Sequence, residues 1–359
     1  MWDTDNLKVT LDLCTFCNAG CPQCHRTNSK NNLQKKEWLP LVQWSLDDFK
    51  KAFSPEDVKK VKDFKFVGSW GDSIMMKDIF EIVEYILNSS KFVTVQIETN
   101  GSIRDEEWWW NFGIMGGRRL NVRFDVDGIN QEMHSKYRRF TDLNKVLNNM
   151  KTFASTYANA KTQTVVFKHN QDYLDEIKEL CIKNGSKFHT NVISDRFDRS
   201  EIDENGNYPF INENGEKEVL EPANRDCLTN PFIPGAKPNQ LVLDNQIKCR
   251  WALPRNDIII NPLGQVVPCC YIDNGYFKSN YKDNTDWINS PHWKDYTDNK
   301  EDYNIFNHTL KEIVDGKWFT KTLPESFKSE KPLWPCERQC SNRAKKEHQL
   351  REEINVTTN

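Results

Sequence analysis

The sequence predicts an α/β protein in two parts, a parallel sheet wound with helices followed by a small cysteine-rich α+β domain. Two observations carry this. Between Leu7 and Ile193, six stretches of strand character alternate with segments of helical apolar spacing, and alternating strands and helices imply a parallel sheet with right-handed crossovers. Of the 11 cysteines, all but Cys181 and Cys227 fall in two sets, one before residue 25 and one after residue 248. A length of 359 residues suits two domains. The expected divisions are 1–194 for the wound sheet, 195–248 for a connector, 249–345 for the cysteine-rich domain and 346–359 for a charged, frayed tail.

The apolar run from Leu7 to Leu13 is the first strand. Residues 26–44 are polar, with Trp38 and Leu39-Pro40 interspersed, and read as a long connection able to lie over a site. Leu46, Phe49 and Phe53 then mark a helix starting at Ser45 or Asp47. Ser54-Pro55-Glu56-Asp57 starts another: a capping serine, proline at the first helical position and acids in the first turn. Strand patterns recur at Phe64–Val67, Phe92–Ile97, Leu120–Phe124, Thr164–Phe167 and Phe188–Ile193. Helical spacing recurs at Ile79–Leu87, around Trp108–Trp110, at Leu143–Ala154 and at Leu174–Cys181, the last stopped near Gly185.

Past Ser194 the periodicity fails. Asp203–Asn207 and Asn212–Glu216 are acidic and turn-rich, and prolines punctuate the stretch, as expected of a connector with room for a hairpin. Asp257–Ile260 and Gln265–Cys270 flank an Asn-Pro-Leu-Gly turn and form a predicted hairpin with cysteines at its far end. Short helices are expected at Ile288–Trp293 and Leu310–Ile313.

Cys17, Cys21 and Cys24 follow the first strand at x3 and x2 spacing. Three thiolates so spaced can wrap one face of a cubane, and since a closed cluster takes four cysteines, one iron stays open to another ligand. With Cys14 added, the same stretch can instead form a compact zinc knuckle. The three-cysteine loop resembles that of the radical S-adenosylmethionine (SAM) superfamily. The resemblance implies a partial (β/α)6 TIM-type barrel, a [4Fe–4S] cluster whose open iron binds SAM, and reductive cleavage of SAM to a 5′-deoxyadenosyl radical that abstracts a substrate hydrogen. It also implies SAM contacts after successive strands. Gly68 and Gly71 lie in a segment similar to the family's Gly-Gly-Glu-Pro, with glutamate and proline replaced. Glu98 and Asn100 lie in one similar to its Thr-Asn-Gly turn, and Asp125 and Arg138 in one similar to its ribose- and carboxylate-binding stretch. Gln23 stands where the family carries an aromatic residue. Each segment also has a plain reading as a turn or a solvated face, and His25 and His134 read as structural hydrogen-bonding residues.

Cys249, Gly264 and Cys269, followed by Cys336-x3-Cys340, resemble the SPASM and Twitch auxiliary-cluster domains of radical SAM enzymes. No cysteine lies between Cys270 and Cys336, so the arithmetic allows one auxiliary [4Fe–4S] cluster, most simply on Cys249, Cys269, Cys336 and Cys340, with Cys270 as the alternative to Cys269. Four cysteines in two groups equally suit structural zinc.

A net charge of -3 argues against a polyanion-binding surface, so nucleic acid is not an expected partner. No apolar run is long enough to span a membrane, and the first residues lack the pattern of a signal peptide, which places the chain in the cytoplasm. The functional expectation is a radical SAM enzyme served by an external electron donor such as flavodoxin or ferredoxin. Its expected reaction is an oxidation of a peptide, a protein or a sugar-like small molecule, with Asp125 or Asp127 as proton acceptor. The rival reading is a non-catalytic zinc-binding interaction protein.

Overall fold

Strand β1 (Leu7–Leu11) buries every side chain except Lys8 and is the centre from which a nine-stranded sheet extends. The computed structural model describes residues 2–194, 196–197, 201–229, 247–273, 290–341 and 351–355. On one side of β1 run β2 (Val61–Phe66), β3 (Thr94–Thr99), β4 (Leu120–Asp125), β5 (Asn159–Val166) and β6 (Phe188–Ile193), each parallel to its neighbour. These are the six expected strands, with β6 at the expected bounds and the others shifted at one or both ends by up to five residues.

The crossovers also follow the sequence. Helix α1 (Leu46–Ala52) and helix α2 (Pro55–Lys60) each open on a reciprocal cap, Ser45 with Asp48 and Ser54 with Asp57. Such a cap satisfies two otherwise orphaned N–H groups at once. Helices α3 (Ile79–Ser89), α4 (Glu106–Gly116), α5 (Gln131–Ser135), α6 (Leu143–Ala154) and α7 (Leu174–Lys183) complete the first half. In α4 the turn of the helix splits the tryptophan run, burying Trp109 fully and leaving Trp110 half exposed.

Three features of the second half depart from or extend the expectation. The connector holds an antiparallel hairpin, β7 (Tyr208–Ile211) and β8 (Lys217–Leu220), turning through Gly215 at φ +84°. The later hairpin, β9 (Asp257–Ile260) and β10 (Val266–Val267), extends the main sheet, because β9 pairs in parallel with β1 from Lys8↔Asp257 to Leu11↔Ile260. The boundary expected at residue 249 therefore does not interrupt the sheet. The segment expected as a frayed tail also contributes structure: β11 (Arg351–Asn355) pairs antiparallel with β6 and covers its outer edge. An uncovered strand edge exposes unpaired N–H and C=O groups. The run Arg-Glu-Glu-Ile-Asn hides this role because it buries a glutamate, Glu352, whose carboxylate accepts from Asn191 Nδ2 at 3.2 Å and Thr229 N at 3.1 Å.

Helices α8 (Pro291–Asp298), α9 (Leu310–Asp315), α10 (Leu323–Ser326) and α11 (Trp334–Cys340) follow the second hairpin. The first of them begins later than expected, at Pro291, and residues 288–289 lie outside the described residues. An aromatic stack, Trp293 on Tyr296 at 4.8 Å and Tyr296 on Tyr303 at 4.6 Å, packs this region.

Candidate active site

A cavity of about 800 Å³ opens inside the curve of the sheet. Its wall takes side chains from β1 to β5, from β9 and from β11, so strands near both edges of the sheet face one space. Closed parallel barrels fill their interior with branched apolar side chains. Here most inward strand positions are charged or polar instead, Ile259 being an exception. Lys65 meets Glu98 at 2.6 Å, Arg123 pairs with the same carboxylate, and Thr94 donates to Asp63. The lumen is hydrophilic, suited to a polar ligand.

Cys17, Cys21 and Cys24 line this cavity beyond the carboxyl end of β1. Their loop is held on several sides. Gly20 donates its N–H to Arg139 O at 3.1 Å, and a Cβ at Gly20 would fall 2.4 Å from the Phe140 ring, so only glycine lets that ring lie on the loop. Hairpin β7–β8 completes the clamp. Tyr208 and Phe210 pack in one apolar cluster with Ala19, Cys21 and Leu33, Ile211 N donates to Ser29 O, and Arg139 pairs with Glu213 and Glu218.

N–H donors approach two of the sulfurs. Ala19 N lies 3.4 Å and Asn100 Nδ2 3.9 Å from Cys17 Sγ; Arg138 reaches 4.0 Å from Cys21 Sγ. Burial pushes the Cys21 thiol up to about 12 against the pull of Arg138, and pushes Cys17 up as well. Three thiols gathered at a polar cavity, two of them costly to ionise alone, fit a polynuclear cation that takes thiolates. Cys14 does not join them. Its thiol accepts from Phe16 N at 3.3 Å, away from the cavity, so the four-cysteine knuckle is not assembled. Among the described residues no three His, Cys, Asp or Glu side chains form a group able to hold a single metal ion.

Asp72, which lies in the segment similar to Gly-Gly-Glu-Pro but is not among the expected contacts, organises the rim. It is buried and accepts from Ile74 N, Thr99 Oγ1, Asn100 N and Asn100 Nδ2 at 2.7–3.0 Å. Its own N–H donates to Phe16 O at 2.7 Å, tying the segment after β2 to the start of the cysteine loop. Gly71 is glycine for the same reason: a Cβ there would sit 2.3 Å from Cys14 O. A Cβ on Gly68 would sit 2.5 Å from Gly71 O. Both glycines line the cavity, along with Glu98, Asn100, Asp125 and Arg138.

Asp127 is placed differently from Asp125. It is fully buried behind the wall, with Oδ2 accepting from Arg138 Nε at 2.6 Å and Oδ1 from Val165 N at 2.7 Å, and it does not line the cavity. Its geometry is that of a support for Arg138, not of a proton acceptor beside a substrate. Asp125 faces the cavity and meets Arg138 NH1 at 2.9 Å. Burial pushes its carboxyl up to about 7, opposed by Arg138 and reinforced by Asp127. His134 backs this group. Thr141 Oγ1 donates to Arg138 O, so it accepts from His134 Nε2, while His134 Nδ1 accepts from Asp127 N at 3.1 Å. The neutral ring fits both roles, and burial holds its pKa down at about 3.

The second set of cysteines lines a separate space. Cys249, Cys269, Cys336 and Cys340 surround one small apolar cleft with Leu323 and Phe327, whereas Cys270 turns the other way and lines the large cavity. Adjacent residues just past β10 thus serve opposite sides. His25 lines the cavity beside Trp70, with ring centroids 5.7 Å apart. Cys181 is buried in the core and Cys227 half-buried in the connector.

No protein-family model matches the chain. Over 175 residues, 48% of its length, it is 26% identical to a probable GTP 3′,8-cyclase of Methanocaldococcus jannaschii, and the match spans about half, 54%, of that relative. The whole fold is similar to that of SuiB from Streptococcus suis, with a TM-score of 0.56 at 12% identity over 90% of this chain and 68% of that one. It is also similar to anSMEcpe with bound AdoMet, with a TM-score of 0.53 at 14% identity over 95% and 91% of the two chains. At these identities the likeness is one of fold.

Proposed function

We propose that the protein is a radical SAM enzyme, with a [4Fe–4S] cluster on Cys17, Cys21 and Cys24 and SAM in the adjoining cavity. The observation that carries this reading is the gathering of those three thiols at the rim of an 800 Å³ polar cavity, at the carboxyl end of a parallel strand. The sheet, with β9, β10 and β11 added at its two sides, is read as the partial (β/α)6 barrel of that superfamily. When bound, such a cluster supplies the electron that cleaves SAM to methionine and the 5′-deoxyadenosyl radical, which abstracts a hydrogen atom from the substrate.

The chain's own residues orient the cofactor and manage charge. Arg138, fixed by Asp125 and Asp127, offers a guanidinium to an anionic group of SAM. Asn100 and the turn around Gly68 and Gly71 present polar groups at the same rim, and Glu98 faces the lumen with its charge balanced by Lys65 and Arg123. Cys249, Cys269, Cys336 and Cys340 are the proposed ligands of one auxiliary [4Fe–4S] cluster in a SPASM/Twitch-like segment, an electron acceptor for an oxidation. Asp125, its carboxyl pushed up from the usual range by burial, is the group at the cavity wall suited to take the proton released. The substrate is a peptide, a protein or a sugar-like small molecule, and flavodoxin or ferredoxin is the proposed external donor.

Metal analysis of anaerobically reconstituted protein tests the reading. About eight irons per chain are expected from two [4Fe–4S] clusters, falling to about four when Cys17, Cys21 and Cys24 are replaced together by alanine. Colourless protein rich in zinc would support the binding-scaffold reading instead.

A further inference from the structure

Resting on the reading of this cavity as the substrate chamber, we propose that the turn from Arg250 to Arg255 is an oxyanion subsite for the substrate, with Arg255 and the Trp251 indole N–H as its donors. The turn is a built element. Leu253 N donates to Cys249 O at 3.1 Å, Asn256 N to Ala252 O at 3.2 Å and Asp257 N to Trp251 O at 2.9 Å, and the chain then enters β9 beside β1. Arg250, Trp251 and Arg255 all line the large cavity that the three-cysteine loop also lines.

Two features of the turn point to a ligand. Trp251 is 9% exposed, yet its Nε1–H has no hydrogen-bond partner among the described residues. A buried donor left unmade is costly and uncommon. Arg255 is the second. Its guanidinium lies over the Trp251 ring, 5.0 Å from the centroid, so the same indole that carries the N–H also carries the cation. Among the described residues no carboxylate is in ion-pair contact with it.

Three other inward cations are matched, Lys65 and Arg123 by Glu98 and Arg138 by Asp125 and Asp127. Asp257, an acid two residues from Arg255 in the wall, accepts from Thr10 Oγ1 at 2.9 Å and shares the attraction of Lys65, Arg255 and Lys8 without an ion-pair contact to any of them. A guanidinium stacked on the indole with no ion-pair contact, together with that indole's buried N–H, offers donors to a phosphate or a carboxylate, since both groups accept several N–H bonds and charge-assisted ones are the stronger kind.

The test is isothermal titration of the reconstituted protein, saturated with SAM, using pyrophosphate for the phosphate source and succinate for the carboxylate source. One of the two should bind saturably. Arg255→Met should weaken it about ten- to hundredfold, the range for hydrogen bonds to a charged group. Trp251→Phe, which keeps the stacking ring, should weaken it about three- to tenfold, and Arg255→Lys should fall between wild type and Arg255→Met. Iron content and SAM affinity equal to wild type check that the variants fold, and Trp251→Phe with Arg255→Lys carries the test if Arg255→Met does not. Absence of binding by both probes, or affinities unchanged in the variants, overturns the subsite. Failure to bind SAM, with Arg255-dependent oxyanion binding intact, overturns the radical SAM reading and leaves the subsite standing.

Discussion

Replacing Arg138 by methionine probes the electrostatic hinge of the site. Its guanidinium joins Asp127 at 2.6 Å and Asp125 at 2.9 Å while 10% of its side chain is exposed. Asp127 is fixed independently, with Oδ1 accepting from Val165 N and its carbonyl from Asn170 Nδ2 at 3.0 Å. Removing the cation therefore leaves the buried Asp127 and the cavity-lining Asp125 without their shared partner. Breaking a buried pair by removing one partner costs about 3–5 kcal/mol, and that cost should appear in full at pH 8. Without Arg138, burial and mutual repulsion should drive both carboxyls further up, so they take protons as the pH falls. At pH 5.5 the penalty should shrink by at least about 1.4 kcal/mol, the free energy of a tenfold change in proton affinity. Urea unfolding of the metal-free protein at both pH values measures it. The double variant Arg138→Met with Asp127→Asn should recover about 1–3 kcal/mol of the loss at pH 8. Strict additivity of the two substitutions, or a penalty independent of pH, would refute this account of the charge triad.

Two further outcomes are expected. Cys269→Ala should lose the auxiliary cluster, about four irons, whereas Cys270→Ala should retain full iron, because the two side chains face different spaces; equal losses would contradict that division. His134 is buried with its pKa held at about 3, below the unfolded value, so its stabilising contribution is complete above about pH 6.5 and is lost as the pH falls toward 3. In urea titrations between pH 6 and 4, His134→Gln should weaken the acid-side loss by about 1.4 kcal/mol per pH unit relative to wild type. Parallel wild-type and variant curves would mean that the ring is not held neutral.

The legible parts of this chain are those written in local spacing. The three-cysteine loop, the paired caps at Ser45 and Ser54 and the strands from Leu7 to Ile193 each depend on neighbours a few residues apart. The lumen was not legible that way. Alternation along β2 and β3 separates two faces, but Lys65 and Glu98 look like a solvent face until the sheet curves and turns them toward each other. Asp72 lies in a segment the sequence marks, but its role is hidden there, because it collects donors from Thr99 and Asn100 on the next strand and just beyond it, a contact that spans 28 residues. Asp125 and Asp127 sit two apart in the sequence and look equivalent, yet the end of β4 turns one into the cavity and the other behind it. Strand β11 carries no apolar alternation, since a position it buries is a glutamate.

The central claim is tested most directly by quantifying 5′-deoxyadenosine after the anaerobic, dithionite-reduced protein is incubated with SAM. Wild type should form it, Cys249→Ala should retain some of that cleavage, and the protein lacking the thiols of Cys17, Cys21 and Cys24 should form none. Undiminished cleavage by the triple variant, or none by fully iron-loaded wild type, would contradict the assignment of this loop as the radical-generating site.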